Sequence, residues 1–274
     1  MKEKTLKFVL LISILTSTLV SNACTIFMAN DGQNVWVGNN EDENFSTKYR
    51  MWYYPANKES FGYMIWTELS IGKLFYGLMY KNPQGGLNEY GLFMDYTAID
   101  DTPVTNDPNK KNRKKELVHD ILKSCKTVEE AIRYASKYNL IRLKEAQLFI
   151  ADANGDYVTI HGGYIIRKTE NNFALTNYCI NNGHREACYR RDVATNCLNS
   201  TNTFQLDDIK NILQKSAQKQ PQTLVTNFSM AVDLKSSTIH LYYNNDFTTE
   251  KTINLKKKKK KGKQHKDLVD YFPK

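Results

Sequence analysis

The first 23 residues constrain this 274-residue chain most strongly, because they have the pattern of a removable leader. Three lysines lie within the first seven residues, residues 8–20 form an apolar run, and Ser21-Asn22-Ala23 places small residues at positions −3 and −1 of a cleavage site. This pattern is typical of a secretory signal peptide, and the apolar run is too short to anchor the chain in a bilayer. We therefore expect the folded domain to begin at Cys24 and the mature protein to be extracellular or periplasmic.

The formal net charge of +9 belongs to the two ends of the chain. The leader contributes +2 and residues 256–274 contribute +7, so the body formed by residues 24–255 has no net charge. A nucleic-acid enzyme is expected to spread cations over its working face, and the neutral body therefore argues against nucleic acid as a partner. The whole chain is 41% hydrophobic, and the body is expected to form one packed domain.

The lysine-rich tail, residues 256–274, leaves three alternatives open. It is a solvated segment, a weak contact for an anionic membrane or wall polymer, or a nucleic-acid contact. Blocks of like charge are usually solvated, so a solvated tail is our default expectation. The apolar residues Leu268, Val269, Tyr271 and Phe272 predict that the end of the chain docks on the domain, and the sequence leaves homo-oligomer formation open.

The order of the predicted elements favours an α+β fold. Alternating apolar residues between turn signals indicate strands, and Thr127 with Glu130 forms a capping-box pattern before a helix. Strands, then helices, then further strands are typical of helices packed outside stacked sheets. The sequence predicts strands at 25–29, 34–38, 75–80, 92–96, 147–151, 157–160, 164–167, 173–176, 227–234 and 238–243, and helices at 128–138, 186–198 and 207–218.

Cleavage before Cys24 would leave a thiol and a free α-amine on one residue. An α-amine has an unperturbed pKa of roughly 7.7–8.0, so it can accept the thiol proton and later return a proton to a leaving amine. This pair can attack an amide carbonyl without a metal or a cofactor. The alternative is a bacterial lipoprotein or binding domain, in which Cys24 is a lipid anchor, although Ser21 stands where that signal usually has an aliphatic residue.

The remaining cysteines do not form a recognisable metal-binding pattern. No C-x-x-C element occurs among them, which argues against a zinc site. Export would permit disulfides, and four cysteines can pair in three ways or stay reduced. The pairing of Cys125, Cys179, Cys188 and Cys197 stays open.

Cys24-Thr25 and five later segments, in order, resemble the choloylglycine hydrolase and penicillin V acylase family. They are Cys24-Thr25, Gly38-Asn39-Asn40-Glu41-Asp42, Asn88-Glu89-Tyr90-Gly91-Leu92, Ile150-Ala151-Asp152 with Gly155 and Tyr157-Val158, and Leu175-Thr176-Asn177, and residues 232–243 resemble the family's late hairpin. The resemblance implies the four-layer αββα sandwich of N-terminal-nucleophile hydrolases. It also implies hydrolysis of a linear carbon–nitrogen amide bond in a small acylated amine, with acyl transfer to another amine as a variant.

The resemblance implies a role for each of four residues. Cys24 is the nucleophile and its α-amine the base, while Asp42 holds the amine and thiol in register. Asn177 contributes to the oxyanion site, and Arg190 matches a second family arginine, for which Arg191 is the alternative. We expect Asn88, Trp52 and Trp66 to contact the substrate; a structural turn for Asn88 and core positions for the tryptophans are the alternatives.

Two positions depart from the family pattern. The bile-salt branch has an arginine where this chain has Asn39, so a positive charge near the cysteine is missing. The second oxyanion asparagine is expected shortly after Leu92, where Asp95-Tyr96-Thr97-Ala98 provides none. Bile-salt specificity is therefore not expected.

Overall fold

A computed structural model describes residues 24–69, 83–180, 188–219, 224–258 and 262–272. These residues form sixteen strands, four α-helices and a short 3-10 helix, Leu268–Tyr271. The strands are β1 Thr25–Asn30, β2 Val35–Asn44, β3 Lys48–Tyr54, β4 Tyr63–Leu69, β5 Pro83–Asn88, β6 Phe93–Ala98, β7 Lys111–Asn112, β8 Tyr138–Asn139, β9 Ala146–Ala151, β10 Tyr157–His161, β11 Tyr164–Arg167, β12 Phe173–Leu175, β13 Leu224–Asp233, β14 Thr238–Tyr243, β15 Asp246–Asn254 and β16 Gln264–Asp267. The helices are α1 Val118–Ser124, α2 Val128–Ala135, α3 Tyr189–Asn199 and α4 Leu206–Ser216.

Two antiparallel sheets form the centre of the molecule. The first has six strands in the order β12-β1-β2-β13-β14-β15, and the second has eight in the order β11-β10-β9-β6-β5-β4-β3-β16. A core made by the inner faces of both sheets joins them, with Ile26 and Met28 from β1 against Trp66 and Phe93 from the second sheet. Strands β7 and β8 form a separate small parallel pair.

Helices cover the outer face of each sheet. Phe27 and Ala29 point from β1 toward α3 and α4, whose apolar residues include Ala194 and Ile212. On the other side, α1 and α2 pack on the second sheet through a core that includes Ile121. Successive strand residues point to opposite faces, so each sheet supplies one core between the sheets and one beneath its helices. The predicted four-layer αββα sandwich is confirmed.

Local signals account for several element boundaries. Thr127 accepts a hydrogen bond from the Glu130 backbone N–H at 3.2 Å and begins α2 as predicted. The Glu130 carboxylate instead accepts from the Lys126 N–H at 2.6 Å. Gly155 has φ +81°, which suits the left-handed turn between β9 and β10.

The sequence prediction and the structure differ in several elements. Strands β3–β5, β7, β8, β15 and β16 and helix α1 were not predicted, and the strand predicted at 75–80 lies outside the described residues. The domain also continues beyond residue 255, because β16 pairs with β3 and Leu268 is buried in the core between the sheets. Part of the predicted tail is therefore an edge strand, and the docking of the chain end is confirmed.

Candidate active site

Cys24 stands at the start of β1 and is 6% exposed. Ile26 and Met28 face the space between the sheets, whereas Phe27 faces the helices. By this alternation the Cys24 side chain points between the sheets and Thr25 points toward α3. The thiol and the main chain of Cys24 therefore have different surroundings.

Arg190, in the first turn of α3, connects three of the predicted catalytic residues. Its Nη1 donates to the Cys24 carbonyl oxygen at 3.0 Å and to Asp42 Oδ2 at 2.9 Å. The same nitrogen is 3.1 Å from Thr25 Oγ1, and Nη2 donates to Asn177 Oδ1 at 3.3 Å. One largely buried guanidinium thus joins groups that the sequence separates by up to 166 positions.

Asp42 is held from two sides in β2. Arg190 binds one carboxylate oxygen, and the Thr226 hydroxyl of β13 donates to the other at 2.5 Å. Thr226 lies directly opposite Asp42 in the strand register, next to an irregularity in β13. Burial raises the pKa of Asp42, and the guanidinium and hydroxyl oppose that shift by favouring the carboxylate. Thr226 was not predicted, because its role depends on this strand pairing.

Asn177 lies in the loop after β12. Its Nδ2 donates to the Ala98 carbonyl at 3.0 Å, and its Oδ1 accepts from Arg190. The buried Gln147 side chain fixes the loop by donating to the carbonyls of Thr176 and Tyr178 at 3.2 and 2.7 Å. A glutamine inside the apolar run of β9 was a signal that the sequence analysis missed.

Carboxylates surround the Cys24 thiol. Burial raises its pKa well above the usual value, and Glu41, Asp42 and Asp95 raise it further, while the Asp42 backbone N–H lowers it. Burial and the neighbouring Asp42 raise the pKa of Glu41 to about 8. Burial and Glu41 also raise the pKa of Asp95. In this chain, with its leader attached, the thiol is therefore protonated.

Asn88 was predicted to contact substrate, and this prediction is wrong. Its buried side chain donates to the Leu122 and Cys125 carbonyls at 3.0 and 2.7 Å and accepts from the Tyr90 and Leu92 N–H groups, both at 3.0 Å. These four backbone contacts tie the β5–β6 turn to the end of α1. Asn88 is consequently a structural turn residue, as the alternative reading held.

The two tryptophans lie on opposite faces of the second sheet. Trp66 belongs to the core between the sheets and donates to Asp95 Oδ2 at 3.1 Å, so it lies on the same side as the thiol. Trp52 instead belongs to the core beneath α1 and α2. It borders a cleft of about 790 Å³ on that outer side, with His119 and Lys263 among the lining residues. Strand alternation turns Trp52 away from the Cys24 thiol, so its position does not support the predicted contact with substrate.

The five cysteines are all unpaired thiols in the structure, Cys24 and Cys125 being buried. Within the described ranges, no group of three His, Cys, Asp or Glu side chains is arranged to hold a metal ion. No helix in the described part of the chain has the length and apolar character to cross a membrane. The predicted leader lies outside the described residues.

Comparison with solved structures places the fold. The chain is similar to a conjugated bile acid hydrolase from Clostridium perfringens in two forms, a cysteine-to-alanine mutant (11% identity, TM-score 0.65) and an arginine-to-leucine variant (11%, 0.67), each covering 89% of this chain and 96% of that chain. It is also similar to penicillin V acylase from Agrobacterium tumefaciens, with 14% identity, a TM-score of 0.60, and coverage of 89% and 90%. No protein-family model and no curated protein matches the sequence. The resemblance first drawn from short motifs therefore extends, as a fold, over most of the chain.

Proposed function

We propose that the mature protein begins at Cys24 and is a thiol hydrolase of linear carbon–nitrogen amide bonds in an acylated amine. One observation carries this proposal: the Arg190 guanidinium contacts the Cys24 carbonyl, Asp42 and Asn177 at once. Cys24, Asp42 and Asn177 come from three separate parts of the chain. Their convergence on the main chain of one cysteine supports a shared chemical role.

Removal of the leader would supply the base. Before cleavage the nitrogen of Cys24 is an amide without a basic lone pair, and the thiol is protonated. Cleavage turns that nitrogen into an amine with an unperturbed pKa near 7.7–8.0. Asp42 and Cys24 share the same Arg190 nitrogen, so the carboxylate lies beside the main chain of the cysteine and can orient the new amine.

The reaction would then follow two steps. The α-amine takes the thiol proton, the sulfur forms a bond to the acyl carbon, and the carbonyl electron pair moves to oxygen. When the tetrahedral intermediate collapses, the carbon–nitrogen bond breaks and the α-ammonium gives its proton to the leaving amine. Water, deprotonated by the α-amine, attacks the thioester; a carbon–oxygen bond forms, the carbon–sulfur bond breaks and the thiolate regains a proton.

Asn177 is the candidate donor to the developing oxyanion. Its amide group has two N–H donors, and the Ala98 carbonyl accepts only one of them. Arg190 holds the opposite end of the amide, which fixes the orientation of the remaining N–H. Removing one donor of this kind from a comparable enzyme costs about 2.7–4 kcal/mol of transition-state stabilisation.

The substrate class follows from the chemistry and the similar structures. An N-acyl amino acid, a conjugated-bile-acid-like amide or a penicillin-side-chain-like amide has the required linear bond, and the two similar proteins are named for substrates of the latter kinds. Secretion is part of the proposal, because the predicted leader of residues 1–23 would both export the protein and expose the amine.

The test replaces the nucleophile. Cys24→Ala and Cys24→Ser proteins, made with the same leader and checked for cleavage and folding, are expected to lose turnover of a panel of N-acyl amines. Cys197→Ala is the matched control, because Cys197 lies about two turns beyond Arg190 along α3. Turnover retained in Cys24→Ala, or a diacylglyceryl adduct on Cys24 in the intact mass, would overturn the proposal. Product formation only when an added amine replaces water would assign acyl transfer instead.

A further inference from the structure

We propose that Glu41 and Asp95 select amide substrates that carry a positive charge close to the scissile bond. This inference rests on the proposed function, since it assigns a substrate class to the same thiol. It begins from the position where the similar family has an arginine and this chain has Asn39.

Asn39 connects the two sheets through a carboxylate. Its Nδ2 donates to Asp95 Oδ2 at 2.7 Å, and Trp66 Nε1 donates to the same oxygen at 3.1 Å. The other oxygen of Asp95 accepts from the Tyr96 N–H at 2.8 Å. Asn39, which stands where the family has an arginine, therefore donates a hydrogen bond to a carboxyl group. This place favours a positively charged group, whereas an arginine there would favour a negatively charged one.

Two acceptor atoms at this place have no partner. Glu41 Oε2 and Asn39 Oδ1 are fully buried and form no hydrogen bond within the described residues. Alternation along β2 puts both side chains on the inner face, the same side as the thiol. A buried acceptor without a donor costs free energy, and a buried carboxylate without a counter-charge costs more. A bound ammonium or guanidinium group would supply both a donor and a charge.

The lysines and arginines in the described part of the chain do not meet this need. Arg190 lies on the helix side and pairs with Asp42, and no described lysine or arginine forms an ion pair with Glu41 or Asp95. The α-amine of mature Cys24 must be neutral when it accepts the thiol proton, so it cannot serve as a permanent counter-ion. The raised pKa values of Glu41 and Asp95 agree with a pair that stays protonated until a cation arrives.

A substrate cannot avoid this cluster. Its carbonyl carbon must reach the Cys24 sulfur, and Glu41, Asp42 and Asp95 are the groups whose charges act on that sulfur. Atoms flanking the carbonyl therefore lie next to the pair of Glu41 and Asp95. An ammonium group there would favour the ionised pair and be attracted to it, whereas a carboxylate or sulfonate would keep the pair protonated and gain no ion pair.

The test compares matched amides that differ only in charge. One set joins an octanoyl group to ethylenediamine, propylamine or β-alanine, giving a cationic, a neutral and an anionic amide. A second set places the charge on the acyl side, with 4-aminobutanoyl, pentanoyl and succinyl amides of benzylamine. In at least one set, we expect kcat/KM for the cation to exceed that for the neutral amide about thirtyfold, with the anion slowest.

Variants then assign the preference. Glu41→Gln is the primary variant, because Oε2 has no partner to lose, and Asp95→Asn is the second; each is expected to lower the cation-to-neutral ratio at least about tenfold. Glu43→Gln, a carboxylate two positions along the same strand, should leave the ratio unchanged. Equal kcat/KM for all three charges, a preference for the anion, or an unchanged ratio in both variants would overturn the inference while leaving the amidase in place. No turnover of any amide, together with no acyl group on Cys24, would reject the proposed function as well.

Discussion

Loss of Arg190 is expected to destabilise the protein strongly through the carboxylate that it leaves behind. The Arg190 side chain is 12% exposed and that of Asp42 is 0% exposed, so solvent does not replace the missing partner. Removing one member of a buried ion pair costs about 3–5 kcal/mol, and the Thr226 hydroxyl stays to satisfy one oxygen. We therefore expect Arg190→Met to lower the free energy of unfolding by about 3 kcal/mol at pH 8.

The loss is expected to depend on pH and on Asp42. Without the guanidinium the pKa of Asp42 rises further, so at low pH the carboxyl is protonated in both proteins and the difference between them shrinks. Adding Asp42→Asn to Arg190→Met removes the unpaired charge. The double variant should be more stable than Arg190→Met at pH 8, although it should remain inactive.

Urea unfolding followed by circular dichroism measures these free energies, with the m-value checked for constancy. Arg191→Met is the control: Arg191 has a similarly low side-chain exposure of 10%, but its ionic partner Asp192 is 56% exposed. An exposed pair contributes only about 0–1 kcal/mol, so this variant should change stability little through its charge. If Arg190→Met and Arg191→Met cost the same, or if Asp42→Asn gives no recovery, the role assigned to Arg190 is wrong.

Three further predictions concern individual residues. Thr226→Val removes the hydroxyl hydrogen bond to Asp42, so it should lower the free energy of unfolding by about 1.5–3 kcal/mol and reduce kcat. Thr226→Ser should retain the stability and the kcat of the unaltered protein. Urea unfolding and initial-rate measurements check these two outcomes. Asn88→Ala leaves four backbone groups without partners, so it should lower the unfolding free energy by about 2–4 kcal/mol. It should not change KM for the octanoyl amides, and a raised KM would instead support a contact between Asn88 and the substrate. The pKa of Glu41 is raised from 4.5 to about 8 in the folded protein, so the native state binds this proton more tightly than the unfolded state. The free energy of unfolding should therefore fall as pH rises from 4.5 to about 8, and Glu41→Gln should reduce this fall. Urea titrations at several pH values test this, and the same pH dependence in Glu41→Gln as in the unaltered protein would refute it.

The sequence predicted which residues meet at Cys24 better than it predicted the direction in which strand side chains point. Cys24, Asp42 and Asn177 were predicted because an ordered set of short motifs carries them, and Arg190 was one of two candidates for a second family arginine. The structure brings all four together. Trp52 could not be placed in the same way. A single strand shows that its alternate residues face opposite directions, but the partner sheet and helices decide which face meets the cysteine.

Buried polar residues explain the rest of the difference between the predicted site and the observed one. Gln147 and Asp95 interrupt apolar strands, and each interruption indicates a specific partner without identifying it. The partner of Asp95 is Asn39, 56 residues away on the other sheet, and only the stacking of the sheets brings them together. The prediction for Asn88 failed because a turn asparagine and a substrate-binding asparagine can have the same local sequence.

The central claim is that one residue supplies both the attacking sulfur and the base, and an acid quench during turnover tests it most directly. The secreted protein is mixed with an excess of hydrolysed acyl amide, quenched, digested and examined by mass spectrometry. The account predicts an N-terminal peptide that begins at Cys24 and carries the acyl group as a thioester, which hydroxylamine removes. A mature chain that begins at another residue, or an acyl group found only elsewhere while turnover proceeds, would contradict it.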